Sequence, residues 1–182
     1  MIRRVFPLLL ACLVVAAPAR ADLLVFAAAS LKEPVDRIAA EFGDVTVSYG
    51  GSGMMARQVS LGAPADLVLL ANPVWVDVLT EAGDVQPDTV TDFASNRLVL
   101  IGPAGADAVP LTDEGLVDAL GAGRLAMGFT ASVPAGIYGK AALETLGLWD
   151  GVQGQLAEVD NVRAAVALVA RGQAPLGIVY QS

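Results

Sequence analysis

The sequence predicts an α/β fold in two lobes, each a mainly parallel sheet flanked by helices. Two observations carry this. Short Leu/Val-rich runs such as LVLLA and RLVLIG are bounded by Gly, Pro or Asp and alternate with stretches of helical periodicity, the pattern of buried parallel strands joined by crossover helices. After residue 20 no apolar run approaches the ~20 residues needed to span a bilayer, although 55% of the 182 residues are hydrophobic.

In chain order, residues 1–21 read as a signal peptide. Arg3 and Arg4 precede an apolar middle, and Ala19-Arg20-Ala21 supplies an A-x-A exit. A lipid attachment at Cys12 is the competing reading, with a very short apolar stretch before it; Cys12 is read instead as part of the apolar segment. Residues 22–96 form the first lobe. LLVFA is its opening strand, followed by a helix over 31–42 whose Leu31, Val35, Ile38, Ala39 and Phe42 share a face. Val45 to Tyr49 is the second strand, and Gly50-Gly51-Ser52-Gly53 turns into a helix stopped by Gly62. ADLVLLA is the third strand. Asn72-Pro73 then offers a cap and a proline at the first helical position.

Periodicity weakens over 86–96, and residues 97–182 form the second lobe. RLVLIGP opens it. A helix over 112–120 and a strand over 124–128 follow, then FTASVPAG leads into a helix ended by Gly147. A strand near 156–159 comes next. Asn161 caps a helix ended by Gly172, and PLGIVY is the last strand.

Composition excludes several classes of function. Cys12 is the only cysteine and lies in the leader, so the mature chain has no thiol nucleophile, disulfide or thiolate metal site. No His is present, which removes a Ser-His-Asp triad, His-ligated zinc and the usual neutral-pH base. The formal charge is −8 and becomes more negative once three leader arginines leave, which argues against nucleic acid and anionic membrane surfaces. A GAGRLA run at 121–126 matches a dinucleotide fingerprint by letters, but it precedes a strand instead of following one. Gly51-Ser52-Gly53 lacks G-x-S-x-G spacing, and no Walker A pattern exists.

Four helix starts remain: Ser30-Leu31, Ser52-Gly53, Ala135-Gly136 and Asn161-Val162. In an open α/β sheet such starts lie at the carboxyl ends of strands, where ligands bind. Free N–H groups and helix dipoles there favour an anion. Ser30, Ser52 and Tyr180 would add hydroxyl donors. Three of these positions also have a plain structural reading, and Ala135-Gly136 alone says nothing. Ser30 and Glu33 spell a capping box, Gly50 to Gly53 a turn, and Tyr180 a core residue.

FAAASL, GSGMMARQ, GAPADLVL, VPAGIYGKAAL and NVRAAVALVARGQAPLGIVY together resemble the periplasmic molybdate-binding proteins of ABC importers, from Leu23 to the last residue. The resemblance implies a type II solute-binding fold that closes on molybdate or tungstate and delivers it to a membrane permease without reaction. It carries ligand roles onto Ser30, Ser52, Ala135, Val162 and Tyr180, with Ala135 and Val162 acting through backbone N–H groups. Molybdenum would enter only as the bound oxyanion, with no cofactor. A periplasmic monomer that binds no nucleic acid is expected. Phe129-Thr130 departs from an expected Asp-Pro, and Asn161 from a common Asp. The family chain continues past GIVY and returns to the first lobe, so a C-terminal truncation is expected. Sulfate or another tetrahedral oxyanion is the alternative ligand. A serine-dependent hydrolase using Ser52 is the alternative of another class.

Overall fold

A computed structural model describes residues 22–182; the predicted signal peptide and Cys12 lie outside the described residues. The chain forms β1 (Leu23–Ala28), a 3₁₀ turn (Ala29–Leu31), α1 (Lys32–Phe42), β2 (Val45–Gly50), α2 (Ser52–Ser60), β3 (Leu67–Leu69) and α3 (Pro73–Glu81). A 3₁₀ turn at Pro87–Thr89 leads to β4 (Leu98–Ile101), α4 (Asp113–Leu120), β5 (Leu125–Gly128), α5 (Pro134–Thr145), α6 (Trp149–Val152), β6 (Leu156–Val159), α7 (Val162–Ala170) and β7 (Leu176–Tyr180).

Two sheets result. The first has order β2-β1-β3 and is wholly parallel; the second has order β4-β7-β5-β6. In the second sheet β4 runs antiparallel to β7, with Leu98 opposite Tyr180, while β5 is parallel to both β6 and β7. An apolar run such as RLVLIG carries no mark of its direction, and the long connection from β4 to α4 permits either.

Local signals explain most boundaries. Gly62, Gly147 and Gly172 follow α2, α5 and α7 with φ of 89°, 72° and 67°, a left-handed turn that glycine adopts without steric cost. The Thr112 hydroxyl accepts from the Gly115 N–H at the start of α4, and the Asn161 side-chain oxygen from the Ala164 N–H at the start of α7.

Four expectations change. The 112–120 helix starts at Asp113 because Thr112 is its cap. ADLVLLA shrinks to the three residues of β3, an edge strand with Leu67 45% exposed. The apolar face of α1 is only partly covered: Val35 is buried, whereas Ile38 and Phe42 are exposed, since α1 packs on the edge strand β2 and its outer rows reach past the sheet. α5 begins at Pro134, three residues before the expected run, because a proline suits the first helical turn. The main core lies under the second sheet, where Leu116, Leu125, Met127, Val152 and Ile178 pack together.

Candidate functional site

Strand register levels the ligand-facing ends. Ala28 pairs with Gly50 at the ends of β1 and β2, and Gly128 pairs with Val159 at the ends of β5 and β6. The segments that follow these strands carry Ser30, Ser52, Ala135 and Val162. All four, together with Tyr180 at the end of β7, line one cavity of about 10 Å³. That is room for about one water molecule. No charged side chain lines it.

Ser30 sits in the 3₁₀ turn ahead of α1. The capping-box reading does not hold: neither that turn nor α1 has a side-chain cap. Glu33 pairs instead with Arg163 at 2.6 Å, and that guanidinium holds its carboxyl below the usual range. The Ser30 hydroxyl is thus not committed to capping. Ser52 is 1% exposed. Its oxygen accepts from the Ala71 N–H at 2.9 Å, which leaves the hydroxyl proton to donate elsewhere.

Ala135 and Val162 are the second and first residues of α5 and α7, so their N–H groups belong to the helix-start set without intrahelical acceptors. The Asn161 side chain satisfies Ala164 and not Val162. Tyr180 is half-buried, yet its hydroxyl is enclosed with no hydrogen-bond partner. Burial, and secondarily Tyr138, pushes this phenol well above its ordinary range, so it stays protonated and able to donate.

Gly50, Gly51 and Gly53 are not in left-handed conformations, so the run is not a turn that needs glycine for its φ. These residues are small because other atoms approach them. A Cβ on Gly51 would lie 2.3 Å from the Asp160 carbonyl oxygen, and one on Gly53 2.8 Å from that of Ser132. Composition shows the glycines but not the neighbours that require them. The loop that departs from Asp-Pro is held differently: the Thr130 N–H and hydroxyl both donate to Glu158, at 2.7 and 2.8 Å.

Asn72 takes the expected cap position of α3 but makes no cap bond. Its amide is buried and lies beside the Tyr138 hydroxyl. Among the described residues there is no cluster of His, Cys, Asp and Glu able to hold a metal ion, and no helix long and apolar enough to cross a membrane.

N–H and hydroxyl donors gathered at the rims of two α/β sheets are the features of a receptor for a small solute. Residues 23–182 match the bacterial extracellular solute-binding protein family, and the chain belongs to it. It is similar to the molybdate-binding protein ModA of Escherichia coli, 41% identical over 168 residues that cover 88% of this chain and 65% of that protein. It is 38% identical to ModA of Haemophilus influenzae, covering 90% of this chain and 68% of the relative. The chain thus spans about two thirds of the length of these curated relatives. The solved periplasmic molybdate-binding protein of Azotobacter vinelandii superposes with a TM-score of 0.75 at 28% identity, covering 87% of this chain and 71% of that one. The sulfate-binding protein SubI of Mycobacterium tuberculosis, at 17% identity and a TM-score of 0.67, shares the fold.

Proposed function

We propose that this chain binds molybdate, and tungstate, outside the cytoplasm and delivers it to the permease of an ABC importer. The observation that carries the reading is the cavity lined by Ser30, Ser52, Ala135, Val162 and Tyr180 without a charged side chain. A fully ionised tetrahedral oxyanion presents only acceptors, and this lining presents donors. Hydrogen bonds to a charged partner contribute about 1.5–3 kcal/mol each. Several together reach the roughly 8–12 kcal/mol of micromolar-to-nanomolar affinity once closure is subtracted. Protonated phosphate brings an O–H that needs an acceptor, and leaving it unpaired is costly.

In this reading 22–96 and 97–182 are two lobes that close on the anion. The protein is a periplasmic monomer exported by the signal peptide, uses no cofactor and catalyses no reaction. The names of its relatives support the ligand, and their binding function supports the absence of catalysis. Sulfate, smaller than molybdate and with the same four acceptor oxygens, is the second ligand that a donor lining admits. Calorimetric titration of the mature chain with molybdate, tungstate, sulfate and phosphate tests both. Binding of molybdate and tungstate with no phosphate heat is expected. Tighter binding of sulfate selects the second reading, and no binding of any oxyanion overturns both.

A further inference from the structure

The geometry points to Trp75 as a positioning residue that latches the cavity shut from a place outside the ligand lining. The inference rests on the oxyanion-binding reading for its effect on affinity, but not for its effect on the shape of the cleft.

Trp75 lies in α3, on the first-sheet side. Its indole N–H donates to the Ser132 carbonyl oxygen at 3.0 Å, across to the loop before α5. Ser132 is three residues ahead of Ala135, so the bond fixes the approach of one proposed ligand N–H toward Ser52. Beneath it the two sides meet backbone to backbone. A Cβ on Gly53 would lie 2.8 Å from both the Ser132 oxygen and the Trp75 ring, and one on Gly51 2.3 Å from the Asp160 oxygen. These distances are shorter than a real Cβ contact allows, and carbonyl oxygens do not swing aside as flexible side chains do. Glycine at both positions is therefore a condition of the close approach. Gly51 has φ −67° and ψ 140°, a conformation alanine adopts freely. What forbids a side chain there is the opposite side alone.

A second tie crosses on the other flank, from Arg163 in α7 to Glu33 in α1 at 2.6 Å. Both side chains are roughly half exposed, so solvent screens the pair and it contributes little. The indole bond is partly buried and directional. It is the stronger of the two.

The test uses the mature chain. Trp75→Phe keeps the ring and removes the donor. Molybdate affinity by calorimetry should fall about 2- to 10-fold, the range of one neutral hydrogen bond. Gly51→Ala should lower it on the order of 10- to 100-fold by overpacking, and Glu33→Gln less than about twofold. A merely structural role for Trp75 would lower the unfolding temperature and leave affinity unchanged; that result overturns the inference. A second readout is independent of any ligand. The sequence has two tryptophans, so Trp149→Phe leaves Trp75 as the only indole. Adding Gly51→Ala should expose Trp75 to acrylamide quenching. Unchanged quenching overturns the latch even if molybdate binds. If wild type binds no oxyanion while Gly51→Ala still raises quenching, the proposed function fails and the latch stands.

Discussion

Tyr180 and Ser52 separate the cost of folding from the gain of binding. The Tyr180 hydroxyl is enclosed and unpartnered, and a buried polar group in that state destabilises by about 1–3 kcal/mol. Tyr180→Phe should leave the ligand-free unfolding temperature unchanged or raised. It should also weaken molybdate binding by about 1.5–3 kcal/mol, the contribution of a bond to a charged acceptor. Calorimetry and thermal unfolding measure the two arms. Ser52→Ala behaves otherwise, because its oxygen also accepts from the Ala71 N–H. Loss of both stability and affinity is expected there. The pH dependence follows from the same tyrosine. Its folded pKa is raised above the unfolded value, so its contribution is complete below the unfolded pKa and declines as pH rises from there toward the folded value. With no His in the chain, affinity should be flat between about pH 6 and 9. A titration midpoint near neutrality would assign the donor role to some other group.

Helix starts are the elements that bring the donors together, and their caps decide how firmly. Asn161→Ala removes the bond to the Ala164 N–H that begins α7. A lost cap of this kind costs about 1 kcal/mol, visible as a lower denaturation midpoint. α5 depends on packing instead. A Cβ on Gly136 would lie 2.1 Å from the Gly128 oxygen and 2.5 Å from that of Phe129, so Gly136→Ala should destabilise by about 1–3 kcal/mol through displacement of α5 from β5. Both devices bear on what could be read in advance. Asn161 before VRAAVALVARG declares a cap and a periodic helix, and the glycines after α2, α5 and α7 declare its stops. These are local codes, and the structure keeps them. Asn72 shows their limit, since the same residue type at another helix start makes no cap bond. Ser30 shows it again: Glu33, its expected capping partner, is drawn away by Arg163 from 130 residues further on. That four helix starts and the end of β7 meet at one cavity was legible because segments after strands converge by rule; the choice of Val162 over its cap Asn161 rested on the family resemblance alone. The direction of β4, the exposure of Ile38 and Phe42, and the neighbours of Gly51 were not, because each depends on a partner distant in sequence.

At the scale of the whole molecule, net charge and site charge have opposite tasks. The chain carries −8, yet its cavity is lined by dipoles and no charged side chain. A dianion therefore approaches against the long-range field and is held by short-range donors. Salt acts on these two forces unequally. Raising ionic strength from about 0.01 to 0.1 M shortens the screening length from about 30 to 10 Å, which weakens repulsion at a distance. It leaves short hydrogen bonds between the lining donors and the bound anion nearly untouched. Association of molybdate, followed by the emission of Trp75, should accelerate with added salt while dissociation stays constant. This is the reverse of the behaviour of a receptor that steers anions with a basic cleft. Slower association at higher salt would mean that a cation such as Arg163, next in the chain to the lining residue Val162, governs capture, and that the donors act only after the anion has been drawn in.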